Sequence, residues 1–209
     1  METEHTTPSR IIFQLSGPSL AQVIQWQQAR DLDVIQHQLE TKGAVMTIRY
    51  GPTHYRGLQP CRERPQPGEA VPYYGEIGDA YSFRFQPEAG GCYLRVVNGA
   101  GGKVFWHPEP FSPLELHLPH PIQIDQGPPG PRWLGLEWPW WHNWPNNQVD
   151  ELRFEIDHKY CRRLLEWGWD ARRPENYEYC FFPTSVGCEI LVKDLASGEE
   201  NHLTRDVCW

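Results

Sequence analysis

Between Gly78 and Trp106 the chain alternates large apolar and polar side chains in runs too short for helices. This restricts the fold more than any other feature. Tyr81, Phe83 and Phe85 recur at every second position, the chain turns at Gly90-Gly91, and Leu94 and Val96 return with the same period. A second turn, Gly99-Ala100-Gly101-Gly102, leads into Lys103-Val104-Phe105-Trp106. Side chains on an extended strand point alternately to opposite faces, so a period of two marks half-buried strands, and glycine-rich breaks between them mark hairpins. The stretch reads as a β-meander.

More strands follow. Leu114-Glu115-Leu116-His117-Leu118 alternates, and Ile122-Gln123-Ile124 resumes after Pro119 and Pro121, which place this element at a sheet edge or break it in two. Trp133–Trp138 continues the sheet beyond a Pro-Gly turn. Glu151–Asp157 alternates most cleanly, with Leu152, Phe154 and Ile156 inward. Asp157 can cap a short helix over His158–Trp167 that Gly168 closes, and Tyr177–Phe182 and Glu189–Leu195 are two further strands.

The N-terminal part differs. Residues 1–9 read as a disordered tail. The run Ile11–Leu15 reads as a buried strand, followed by a helix over about 19 to 41 with Leu20, Val23, Ile24, Leu32, Ile35 and Leu39 on one face. That stripe thins at Ala29-Arg30-Asp31, where the helix can divide, and Gly43 ends it. The strand Ala44–Tyr50 comes next, with Ala44, Met46, Ile48 and Tyr50 on one side. Strand, helix, strand fits a right-handed crossover or a helix laid across an antiparallel sheet. Residues 51–76 are broken by Pro52, Pro60, Pro65, Pro67 and Pro72 and read as a long loop. The expected fold is β-rich α+β: an antiparallel β-sandwich or open barrel over 77–209, with the strand-helix-strand unit of 10–50 packed on it.

Charge narrows the partners. The chain of 209 residues has 19 basic and 27 acidic side chains, a formal net charge of -8. Such a surface repels phosphate backbones, so no nucleic-acid partner is expected. Residues 1–75 are balanced, with seven of each sign. No segment reads as a membrane span, and the acidic start Met1-Glu2-Thr3-Glu4 lacks the basic and apolar regions of a signal peptide. The expected compartment is the cytoplasm, with the six cysteines mostly reduced and structural.

From Gly78-Asp79, which open an alternating strand, through Tyr93-Leu94, Gly102-Lys103-Val104 with Trp106 and Pro108, Pro121–Ile124 and the Pro128–Pro131 turn, the layout resembles a family. It is a bacterial family of uncharacterised β-sandwich domains, often appended to caspase-like peptidases or kinases. The resemblance covers residues 76–139. Arg132 stands where that family usually carries an acidic residue. The resemblance implies a non-catalytic accessory module and supplies no catalytic residues.

Four features could carry chemistry. Glu115, His117 and His120 offer a carboxylate and two imidazoles, the first two on one strand face, but at no standard metal-ligand spacing. Cys61 lies in the long loop beside Arg62 and Arg64, whose charges would favour its thiolate. Arg162, Arg163, Arg172 and Arg173 flank Glu166 and Asp170 and read as a solvated face. No glycine-rich strand-to-helix turn offers a phosphate cradle. The most distinctive segment is Trp138-Pro139-Trp140-Trp141-His142-Asn143-Trp144. Its rings either cap one end of the sandwich or form a recognition surface.

The expected function is a non-catalytic cytoplasmic module that binds a protein partner through Trp138, Trp140, Trp141, His142 and Trp144. The alternatives are a carbohydrate or small-ligand binder using the same tryptophans, and a hydrolase built on His117, His120 or Cys61. No metal or cofactor is expected, and the oligomeric state is not legible.

Overall fold

The structure, a computed structural model, describes residues 8–50, 55–72, 81–98, 112–120, 122–125, 151–184 and 187–204. The chain begins with β1 (Arg10–Ser16), α1 (Gly17–Lys42), β2 (Val45–Tyr50), β3 (Tyr55–Cys61) and β4 (Ala70–Pro72). It continues with β5 (Tyr81–Glu88), β6 (Gly91–Asn98), β7 (Leu114–Leu118), β8 (Gln123–Asp125), β9 (Glu151–Asp157) and α2 (His158–Trp167). A 3-10 turn at Pro174–Asn176 precedes β10 (Tyr177–Thr184), β11 (Gly187–Asp194) and β12 (Glu200–His202).

Among the described residues these strands form three antiparallel sheets and no closed barrel. Six strands, in the order β12-β11-β10-β5-β6-β7, face a three-stranded sheet, β8-β1-β9. The period-two pattern explains why they pack. Phe83 and Phe85 of β5 stand opposite Val96 and Leu94 of β6, and Phe181 and Tyr179 continue the row on β10. Phe13 of β1 and Phe154 of β9 are paired across the facing sheet. The two layers meet ring to ring: Phe13 lies 4.7 Å from Phe85, and Phe154 lies 4.8 Å from Phe83, centroid to centroid. The residues expected in this core that fall among those described, namely Phe83, Phe85, Leu94, Val96, Leu152, Phe154 and Ile156, are all buried. Leu134 and Leu136, and the strands expected over 103–106 and 133–138, lie outside the described residues.

The proline pair at 119 and 121 separates two strands that also join different layers. β7 closes the edge of the six-stranded sheet on β6, and β8 pairs with β1 at the edge of the other. At the β5–β6 turn Gly90 takes φ +87, and a Cβ on Gly91 would lie 2.5 Å from the Leu118 carbonyl oxygen of β7. The glycine pair therefore makes the turn and also lets the third strand approach.

The N-terminal strand-helix-strand unit is present; two points that the sequence left open are resolved, and one expectation is corrected. First, β1 and β2 are not in one sheet. β1 pairs antiparallel with β8 and β9, and β2 belongs to the third sheet, β3-β2-β4, so no parallel crossover exists. Second, α1 is one helix of 26 residues, undivided at Ala29–Asp31, and closed by Gly43 in the left-handed conformation (φ 71). Third, two stretches within residues 51–76 are strands. Pro60 did not exclude β3, because β3 is an edge strand, where a missing N–H interrupts no ladder on its open side.

α1 links the two cores. Leu20 and Val23 of its first half lie in the sandwich core, whereas Ile35 and Leu39 of its second half pack on Val45 and Cys61 of the small sheet. α2 begins and ends as the sequence indicates. The Asp157 side chain accepts a hydrogen bond from the Tyr160 N–H, and Gly168 closes the helix (φ 102).

Beyond α2, Asp170 accepts hydrogen bonds from Arg172 Nε (2.9 Å) and from the Arg172 backbone N–H (3.0 Å). These bonds hold its carboxyl down at about 2, against an ordinary 3.8. A carboxyl depressed on folding contributes stability that is fully present above its unfolded pKa and is lost as pH falls through the folded one. The turn's contribution should therefore be complete above about pH 4 and disappear towards pH 2. An NMR titration of the Asp170 carboxyl carbon checks this, with Arg172→Ala expected to return the midpoint to the usual carboxylate range.

Candidate functional site

The open face of the β3-β2-β4 sheet is the first feature that packing leaves unexplained. Alternation divides β2 into two sides. Val45 and Thr47 are buried towards α1, whereas Met46 and Ile48 point the other way. Register places Pro60 and Leu58 of β3 beside Met46 and Ile48, and Val71 of β4 on the far side of Ile48. The outer face thus carries five apolar side chains. Met46 and Leu58 are 43% and 44% exposed, and Ile48 and Val71 are half-buried. A sheet normally turns such a face inward, and contiguous apolar exposure marks an interaction surface. At the end of β3, Arg62, Glu63 and Arg64 are exposed.

The second feature is a buried polar cluster at the middle of α1. Gln27 and Asp31, one turn apart, face the start of β5 and are 1% and 6% exposed. The Tyr81 hydroxyl donates to Asp31 Oδ1 at 2.6 Å, with the Gln27 carbonyl oxygen also within 3.1 Å. Its ring meets Trp26 edge-on at 5.8 Å. Asn98 stands opposite Tyr81 on β6 and is also buried. Among the described residues, both side-chain amide atoms of Gln27, and Nδ2 of Asn98, have no hydrogen-bond partner. Sequence reasoning missed this cluster, although a signal was present. The thinning of the apolar stripe at Ala29–Asp31 is the place where the buried face of the helix turns polar. A buried amide without partners costs roughly 1–3 kcal/mol. Gln27→Leu should therefore leave stability unchanged or raise it by about 1 kcal/mol, as measured by urea unfolding.

The sequence-derived candidates fare differently. Trp138, Trp140, Trp141, His142 and Trp144 lie outside the described residues. Glu115 and His117 do share a face of β7, the outer one, but each has another partner. Glu115 Oε1 lies 3.6 Å from Arg95 Nε, and His117 Nδ1 lies 3.4 Å from Glu88 Oε2. His120 is exposed, and no group of three or more potential metal ligands gathers among the described residues.

Cys61 is not in a loop; it ends β3 and is 1% exposed. The arginine that reaches it is Arg49, which donates from Nη2 at 3.0 Å, not Arg62 or Arg64. Its own S–H donates to the Glu63 carbonyl at 2.8 Å. Cys92 and Cys161 are buried in the sandwich, and burial pushes both thiols up to about 12. Burial, followed by the nearby Glu178 carboxylate, also raises the Cys180 thiol. Cys61, Cys92, Cys161 and Cys180 are free thiols.

No helix among the described residues is long and apolar enough to cross a membrane. Comparison with known protein families, with curated proteins and with solved structures gives no match for this chain.

Proposed function

We propose that this chain is a non-catalytic interaction module that binds another protein, and that the open face of the β3-β2-β4 sheet is a contact surface. The observation that carries this reading is the adjacent exposure of Met46 and Leu58 on a face whose other members are Ile48, Pro60 and Val71. Two of the thiols favour no nucleophilic alternative, because burial suppresses ionisation of Cys92 and Cys161. The free thiols of Cys61, Cys92, Cys161 and Cys180 suit a reducing compartment such as the cytoplasm. Trp140 and Trp141 form a second contact element in this reading, on composition alone.

A charge placed on an apolar contact face must be desolvated on binding, so Leu58→Glu should weaken partner capture at least fivefold, a change of about 1 kcal/mol. The tagged chain and its Leu58→Glu variant, each crosslinked in extracts of the source cells, provide the test. Equal recovery of every partner by both chains would refute the surface assignment.

A further inference from the structure

Beyond that reading, we infer that the β3-β2-β4 sheet and the second half of α1 form a unit that opens by itself while the sandwich stays folded. Its opening controls access to the Cys61 thiol.

The first observation is a break in the apolar interior. Among the described residues, the sandwich core takes Leu20 and Val23 from α1, and the smaller core takes Ile35, with Leu39 packed against it. No residue belongs to both. The smaller core has three buried members, Ile35, Val45 and Cys61, against 24 in the sandwich. Opening it uncovers little apolar surface, and few buried apolar side chains are the mark of a cooperative unit of low stability.

The second is the border between the cores. Gln27 and Asp31 are buried there, and the Tyr81 hydroxyl holds Asp31 to β5. Both amide atoms of Gln27 have no hydrogen-bond partner among the described residues. The buried side of the helix is therefore polar where one core gives way to the other. The apolar packing that would couple the two cores is interrupted at that level.

The third is topology. Among the described residues, β3-β2-β4 shares no strand pairing with the other two sheets. One continuous stretch of chain, 32–72, contains the second half of the helix and all three strands. Such a stretch can open without unthreading any strand of the sandwich, and cooperative units commonly coincide with contiguous supersecondary motifs.

The consequence is a difference between buried thiols. Cys61 is 1% exposed in the small core, and Cys92 is 3% exposed in the sandwich core. Opening of the small unit uncovers the first and leaves the second enclosed.

Hydrogen exchange by NMR and iodoacetamide labelling of the whole chain, mapped by mass spectrometry, provide the test, under conditions where closing outruns reaction. In labelling, the thiol gives its proton to solvent and the sulfur displaces iodide, forming a carbon–sulfur bond. In the wild-type chain the β2 amides and Cys61 should share one opening constant, at least about tenfold larger than that of the β6 amides and Cys92. It should also depend less steeply on urea, because less surface is exposed. Phe154→Leu weakens the sandwich alone. It should accelerate Cys92 and the β6 amides at least about fivefold and change Cys61 and the β2 amides less than about twofold. Equal opening constants for β2 and β6 would overturn the inference, as would a Phe154→Leu variant that accelerates Cys61 as much as Cys92, because the chain then opens as one unit. Fast labelling of Cys61 while the β2 amides exchange with those of β6 also overturns it, because only the end of β3 then frays.

Discussion

Truncating Phe154 to alanine is expected to lower the stability of the protein by about 3–5 kcal/mol. The ring sits on β9, 2% exposed, where the two layers of the sandwich meet. It contacts Phe83 at 4.8 Å, Phe85 at 5.1 Å and Phe181 at 5.2 Å, centroid to centroid. Removing it deletes a large buried apolar surface and also three aromatic pairs, each worth about 0.5–1.5 kcal/mol beyond burial. The walls of the resulting cavity are rings on hydrogen-bonded strands, which cannot collapse into it without breaking register. Against a total stability of about 5–15 kcal/mol for an ordinary domain, the loss approaches unfolding. Phe154→Leu, which fills most of the space, should cost less and keeps the test usable if the alanine variant does not fold. Urea unfolding of both variants provides the measurement. A loss under about 1 kcal/mol for alanine would mean that β9 does not present Phe154 to the core.

Where one face of an element was buried and the other wet, the sequence predicted it well. Leu152, Phe154 and Ile156 alternate with Glu151, Arg153 and Glu155, and β9 follows that phase. The caps of α2 were equally legible, because Asp157 and Gly168 have strong local reasons to stand where they do. The failures were of two kinds. Sheet membership, left open by the sequence, is decided by contacts distant in the chain, so nothing near Ile11 indicates that β1 pairs with β9, some 140 residues later, and not with β2. The proline-rich stretch was read as a loop because proline breaks central strands, but β3 lies at an edge, where the rule does not apply. The candidate surface was hidden for a related reason. Met46 and Ile48 were seen to share a side, but their period of two does not say whether that side faces α1 or solvent. Val45, Thr47 and Cys61 occupy the side that α1 covers, and the more apolar side is the open one.

Tyr81→Phe, which removes a single oxygen, should cost about 1.5–3 kcal/mol, the range for a buried hydrogen bond to a charged group. The Tyr81 hydroxyl lies 2.6 Å from Asp31 Oδ1, and both residues are buried. Phenylalanine fills nearly the same volume, so no cavity accompanies the change, and the loss combines the missing bond with the cost of leaving the buried Asp31 carboxylate without that donor. The location raises its importance. Asp31 lies between the half of α1 that packs in the sandwich and the half that packs on the small sheet. Helix propensity contributes little at this point, and the tyrosine bond ties the middle of the helix to the start of β5. A double-mutant cycle with Asp31→Leu isolates the pair. Once the carboxylate is replaced by an apolar group, Tyr81→Phe should cost much less, because the short bond to a charged acceptor is gone and the Gln27 carbonyl, at 3.1 Å, is a neutral one. A coupling energy below about 0.5 kcal/mol would show that the two groups do not act as a bonded pair in solution. Hydrogen exchange supplies a second readout specific to the helix. Amides near Asp31 in α1 should exchange faster in Tyr81→Phe, while those of β11 and β12, two and three strands from β5 in the six-stranded sheet, keep their protection relative to global stability. Uniform loss of protection across both regions would mean that the bond stabilises the fold as a whole and does not anchor the helix where its two cores meet.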